Sequence, residues 1–323
     1  MSSAAMSVVP PGVTRPSAAP VTGDTTSTDI IFAKREVTLP LVLMTIGLLL
    51  LPVLLSGSRW IHVGPLQFQP SELAKLTAIV FTAYYLARRD TDLTSFSHGV
   101  LPSVGIAIVL IVLVLAGRDL GTAACIGLNV GLPLVLAGLR YGHLLILGMG
   151  GVSVFGLMVL VEPYRWERVV SFFNPGQDPL GAGYQIRQSI IALGSGGMSG
   201  IGLGNSIQKL HFLPEAHTDF IFAVVGEELG LLGCLALITL FGLFMWRGLI
   251  IAARADSPLG TYLGIGIVWM VVVQALINMS VVVRFLPTTG IPLPFISVGG
   301  SSLVVMLAAS GILLNISKHC RPN

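Results

Sequence analysis

The sequence predicts an all-α polytopic membrane protein: about eight transmembrane helices forming one bundle, with a single long extracytoplasmic loop. Three observations carry this expectation. Of 323 residues, 54% are hydrophobic and 10% charged, and the mean hydropathy is +0.87, more apolar surface than a water-soluble domain can carry. A soluble enzyme is therefore excluded. The charged residues are gathered into short stretches, leaving charge-free runs long enough to cross about 30 Å of hydrocarbon at 1.5 Å per residue. Every connection between those runs is short except one. The net charge of +3, divided among loops, gives no basis for nucleic-acid binding.

Residues 1–30 are expected to form a disordered cytoplasmic tail, because Ser, Thr, Pro, Ala and Gly dominate and few bulky apolar side chains offset the ordering entropy. A cleaved signal peptide is not expected, since no basic stretch leads directly into an apolar one. The membrane domain, 31–323, opens with an apolar run at 37–55 directly after Lys34, Arg35 and Glu36. Further runs at 73–87, 100–117, 120–139, 141–161, 220–246, 259–283 and 296–316 complete the eight. Pro40, Pro52, Pro102 and Pro133 fall in or beside these runs, where neighbouring helices can compensate the lost hydrogen bonds. The long polar segment is 162–218. Cys125 and Cys234 lie in apolar runs and Cys320 near the C-terminus, so no disulfide framework is expected.

Basic residues set the orientation, because basic loops stay in the cytoplasm. With the N-terminus inside, Lys34, Arg35, Arg88, Arg89, Arg140, Arg247, Arg254, Lys318 and Arg321 flank the inner ends. Both termini are then cytoplasmic. The outer side holds Arg59, Arg118, Arg165, Arg168, Arg187, Lys209 and Arg284. It also holds the acids Glu72, Asp119, Glu162, Glu167, Asp178, Glu215, Asp219, Glu227 and Glu228. An ion facing lipid is costly, so these groups should face a cavity or each other.

The densest polar cluster runs from Lys209 through Glu215, His217 and Thr218 to Asp219, at the start of the sixth run. Thr218 is expected to cap that helix, leaving Asp219 ionised in its first turn. Such a carboxylate beside a cavity can take a proton from a sugar hydroxyl; the plainer alternative is a capping acid. Glu227 and Glu228, about 12 to 13 Å further in, either serve the chemistry or pair with Lys75 to lock the bundle. Glu72 and Lys75, one turn apart, are expected to form an intrahelical ion pair. Eight glycines between Gly181 and Gly204 suggest either a loop presenting backbone amides to an anionic headgroup or a flexible gate. They match neither nucleotide-binding glycine pattern. Ser71 and Lys75 are spaced i to i+4 and so are not a Ser-Lys nucleophile pair. Asp90 and Asp92 lie on the opposite side from the cluster, and no Cys/His set has zinc-ligand spacing.

From Ser58 to Ser317 the chain resembles the SEDS family (shape, elongation, division and sporulation). The resemblance rests on SRWIHVGPLQFQPSELAK, RDLGTA, the long string from DPLGAGYQIRQ through HTDFIFAVVGEELG, and LPTTGIPLPFISVGGSS. The SRW, NSIQKL, PEAHTD and LPTTG variants place it nearest the division-type members. The resemblance implies a peptidoglycan glycosyltransferase that polymerises lipid II, the undecaprenyl diphosphate-linked disaccharide peptide, at the outer face of the bacterial cytoplasmic membrane, during division at the septum. It implies Asp219 as general base and, as partners, an FtsI-like class B penicillin-binding protein and other divisome membrane proteins. Substrate contacts are expected from Arg118, Arg187, Lys209, Glu215, His217 and Lys75. The leaving diphosphate needs its charge neutralised, by these cations or by a divalent ion such as Mg or Mn. A lipid II flippase and a non-catalytic divisome scaffold are the competing expectations. Against the family pattern, the first two of ten helices look missing, Arg284 replaces a small or neutral residue, Val298 an aromatic and Gly176 a bulky one. Arg284 is expected either to contact phosphate or to snorkel to the interface.

Overall fold

The computed structural model describes residues 35–56, 58–64, 66–88, 93–174 and 181–320. The tail at 1–30, the Asp90 and Asp92 pair, Gly176, Asp178, Lys34, Arg89 and Arg321 lie outside the described residues.

All eight predicted runs are helical. They form α1 (Arg35–Ser56), α2 (Pro70–Leu86), α3 (Leu101–Ala116), α4 (Leu120–Leu136), α5 (Tyr141–Val161), α8 (Ile221–Ala253), α9 (Pro258–Val282) and α10 (Gly300–Lys318). Six helical segments of the described residues are long and apolar enough to cross a membrane. The other two, α2 and α4, have 17 residues each, about 26 Å of helix. Pro70 occupies the first turn of α2, where its missing N–H costs nothing. Asp119 caps α4 by accepting from the Thr122 N–H, and Ser257 caps α9 by accepting from Gly260. A short hairpin pairs β1 (Ile61–Val63) with β2 (Leu66–Phe68), Ile61 opposite Phe68.

The segment 162–218 is a correction to the expectation of one polar loop. It contains α6 (Pro163–Phe173) and α7 (Ala182–Gly196). In α6 the apolar residues Trp166, Val169, Val170 and Phe173 recur at i, i+3, i+4 and i+7, a helical stripe too short to register as a membrane run. The last helix starts at Gly300 rather than 296, because Ser297 and Val298 are held in a turn by the bonds described below.

α2 and α9 make the centre. α9 buries 78% of its most apolar stretch, whereas α5 buries none. Lipid is as apolar as leucine, so close backbone approach, rather than escape from water, holds such helices together. Glycines mark the contacts. A Cβ on Gly266 of α9 would lie 2.4 Å from Ile79 of α2, and one on Gly248 of α8 would lie 2.4 Å from Val268 of α9. One apolar cluster joins α2, α9 and α10, a second α2, α3 and α4, and a third the start of α8 with α9.

Candidate active site

The residues before α8 fold into a tight turn. Glu215 has φ of 56°, and its carbonyl accepts from the N–H groups of Thr218 and Phe220, both at 3.2 Å. The Thr218 hydroxyl donates to Glu215 Oε2 at 2.8 Å. Thr218 therefore closes the turn and does not cap the helix, contrary to expectation. α8 starts at Ile221 after Phe220, and Asp219 precedes it.

That turn is fastened to the segment between α9 and α10. Ser297 Oγ donates to the Thr218 carbonyl at 2.5 Å, and the Val298 N–H donates to the His217 carbonyl at 2.9 Å. From α9, the buried Asn278 amide spends its two hydrogens on the carbonyls of Asp219 and Ile291, each at 2.8 Å. One turn away, Gln274 donates to the Pro292 carbonyl at 2.9 Å. Gly290, at φ +74°, brings this segment so close that a Cβ there would stand 3.6 Å from Asp219 Oδ2. The strings PEAHTD (214–219) and LPTTGIPLPFISVGGSS (286–302), distant in the chain, thus build one wall.

Among the described residues no hydrogen bond or ion pair engages the Asp219 carboxylate, while its backbone carbonyl is pinned. Burial pushes its pKa up to about 6; the Glu215 carboxylate pushes the same way, against Arg168 and Arg59. Those two arginines come from distant elements. Arg168, on α6, donates to the Thr288 carbonyl at 2.9 Å and to the Tyr164 hydroxyl, with its guanidinium 4.5 Å from the Tyr164 ring centre. Arg59 lies 4.0 Å from Asp119, which also accepts from Gln69 at 2.7 Å and Ser71 at 3.0 Å. Sequence reasoning placed both arginines on the outer side but not at the site. The one available signal was the SRW string around Arg59; for Arg168 only the folded helix reveals it.

The other expected site residues are scattered. His217 and Glu215 flank Asp219 in the turn, both exposed. Lys75 is buried, and its ammonium donates to Glu72 Oε1 at 2.9 Å and to the side-chain amide Oε1 of Gln274 at 2.5 Å. The intrahelical pair is therefore present, and neither Glu227 nor Glu228 pairs with Lys75. Glu228 instead pairs with Lys209 at 2.6 Å. Glu227 accepts from Ser206 Oγ at 2.5 Å and from the N–H groups of Ile207 and Gln208. Arg118, its side chain 77% exposed, lies 4.0 Å from Glu162. Arg187 is exposed on α7. Arg284 donates to the Phe172 carbonyl at the end of α6, at 3.2 Å.

The glycine-rich segment is also corrected. α8 breaks at Gly230, φ 66° and ψ −163°, and two rungs of its ladder open. The segment 197–202 fills them. The N–H groups of Ile201 and Gly202 donate to the carbonyls of Glu227 and Glu228, both at 3.0 Å, while those of Leu231 and Leu232 donate to Gly197 at 2.9 Å and Met198 at 3.2 Å. These amides are spent inside the fold and offer no cradle to a headgroup.

Among the described residues no three His, Cys, Asp or Glu side chains converge as ligands. What the arrangement can do is accept a proton at Asp219 and offset anionic charge with Arg59 and Arg168.

Comparison with known proteins agrees with this architecture. The chain is 45% identical over 267 residues to stage V sporulation protein E of Bacillus subtilis, covering 82% of this chain and 73% of that protein. It is 42% identical over 288 residues to a probable peptidoglycan glycosyltransferase FtsW of Saccharophagus degradans, covering 86% and 74%. Among solved structures, it superposes on a chain of a peptidoglycan synthase complex with TM-score 0.69 and 29% identity, covering 91% and 85%. For the rod shape determining protein RodA of Thermus thermophilus the TM-score is 0.63 at 25% identity, covering 91% and 83%. Residues 28–322 match the cell cycle protein family of FtsW, RodA and SpoVE, and the chain belongs to that family.

Proposed function

We propose that the chain is a peptidoglycan glycosyltransferase that lengthens glycan strands from lipid II at the outer face of the cytoplasmic membrane, with Asp219 as general base. The observation that carries this is a carboxylate with a pinned backbone, a pKa raised to about 6 and two arginines in its field. An acceptor sugar hydroxyl attacks the donor's anomeric carbon as its proton passes to Asp219. The bond to the lipid diphosphate breaks with its electron pair, and the configuration inverts because one displacement occurs with no covalent intermediate. Arg59 and Arg168 offset the charge gathering on the departing diphosphate. Lys75 and Lys209, each held by a carboxylate, act in this reading by fixing the bundle.

A peptidoglycan synthase complex among the similar structures supports a penicillin-binding protein as partner. A flippase would need polar groups spread through the bilayer, whereas Asp219, Glu215, Arg59, Arg168 and Asp119 come together at the end of the bundle where α8 begins. The test supplies lipid II to the outer face of proteoliposomes, with and without a class B penicillin-binding protein. The wild-type chain should form polymer without any translocation, and Asp219→Asn should lower the rate by about 100-fold or more. Polymer made by Asp219→Asn at the wild-type rate would sink the assignment of the base. A wild-type chain that makes none with its partner would leave the scaffold reading standing instead.

A further inference from the structure

α6 has two unlike sides. Its inner side carries buried Ser171 and the half-buried Arg168, which reaches the Thr288 carbonyl. Its other side is the stripe Trp166, Val169, Val170 and Phe173, with Trp166 48% and Phe173 70% exposed and the two valines half-buried between them. Both ends are tied down. Arg165 donates to the Met158 carbonyl in the last turns of α5 at 3.0 Å, and Arg284 donates to the Phe172 carbonyl. Only Glu162 separates α6 from α5, a helix long and apolar enough to span the membrane, with no fully buried residue in its most apolar stretch. At 11 residues, about 16 Å, α6 is too short to cross and begins where α5 leaves the hydrocarbon.

We infer that α6 lies in the outer boundary of the bilayer, with lipid covering the Trp166, Val169, Val170 and Phe173 stripe, and that this seating holds Arg168 against the Thr288 carbonyl. Continuity with α5 selects lipid as the occupant: the acyl chains that surround Leu160 and Val161, 66% and 63% exposed, run on beneath the stripe. An apolar face with an aromatic residue at the headgroup level is the composition such a boundary takes up, burying about 5 to 10 Å of helix. Arg168 is one of the two cations acting on Asp219, so the bilayer surface becomes part of what positions the catalytic charge. That link rests on the glycosyltransferase reading, whereas the seating itself does not.

The intact chain in proteoliposomes tests both, with Trp166→Phe isolating the Trp166 emission by difference. Lipid brominated near the headgroup end of its acyl chains should reduce that emission about twofold, and aqueous acrylamide should have little effect. Quenching by acrylamide without quenching by brominated lipid overturns the seating and makes the stripe a face for a protein partner. For the link, Phe173→Asp should lower polymerisation about tenfold while Phe173→Leu keeps the wild-type rate; an exposed site makes unfolding a poor explanation of that contrast. Lipid quenching of Trp166 combined with full activity of Phe173→Asp overturns the link to Arg168 and leaves the seating intact.

Discussion

Asp219 is held by its backbone while its carboxylate is left without a hydrogen bond among the described residues, a division of labour that five residues enforce. Asn278 and Ser297 take the carbonyls of Asp219 and Thr218, Gly290 keeps the opposing segment close without a side chain, and Arg168 and Arg59 temper a carboxylate that burial makes reluctant to ionise. With Asp219 as the proposed base, which must be deprotonated to act, turnover should rise with pH and reach half its plateau at about 6. Removing Arg168 as Arg168→Gln should move that midpoint upward, because a cation that favours the charged form is lost; an unmoved midpoint would place Arg168 outside the site. The same shift bears on folding. A carboxyl whose folded pKa lies above its unfolded value stabilises fully below the unfolded pKa and loses that contribution as pH rises through the folded one. Asp219→Asn should therefore melt higher than wild type at pH 8 by roughly 2 kcal/mol, taken from about 1.4 kcal/mol per pKa unit and discounted for partial exposure. Below about pH 4 the advantage should vanish. Asp219 was legible as a candidate in the sequence because an acid sat among polar neighbours at a helix start. Asn278 was not, since an amide inside an apolar run declares nothing until its two carbonyl partners arrive from other elements.

Among the elements, α8 and the glycine segment show how a broken helix survives in a membrane. Each opened rung of α8 would leave a carbonyl and an N–H unpaired in a poor solvent for either. The segment 197–202 supplies four hydrogen bonds in place of two, but only if its backbone lies directly on that of α8. Gly200 meets this demand twice: its φ is +79°, and a Cβ would fall 2.1 Å from the Glu228 carbonyl oxygen. Gly200→Ala should cost about 3 kcal/mol or more, from left-handed strain and backbone displacement together. Gly194, inside α7 with nothing within 4 Å of its Cβ position, is the contrast. Gly194→Ala should leave stability unchanged or raise it by up to about 1 kcal/mol. Thermal melts of the two proteins in detergent decide this; equal melting temperatures would mean the segment is the loose gate that glycine content suggests. Composition favoured that looser picture because glycine marks both freedom and close approach. Only knowing which backbone lies opposite separates the two.

At the scale of the whole molecule, the eight helices that match the predicted runs were legible because a bilayer demands long apolar runs and tolerates little else. The site was less so: its wall joins 215–219 to 288–298, and neither run is apolar enough to announce a partner. The result is a bundle with two unlike ends. Asp219 stands at the end where α8 begins, and Ala255 pairs with Cys320 at the end where α8 stops and α9 starts. Arg247, Arg254 and Lys318 gather at that second end, which basic-residue bias assigns to the cytoplasm. The chain's own cysteines turn this into a measurement. Cys125 and Cys234 are buried, and Cys320 is partly accessible, so Cys320 reports the far end without engineering. In intact spheroplasts a membrane-impermeant maleimide should label the His217→Cys protein at its new thiol, because position 217 is exposed in the site turn. Cys320 should react only after the membrane is opened. The reverse pattern would put Asp219 inside the cell, where a lipid-linked donor presented at the outer face could not reach it, and the proposed reaction would have no substrate.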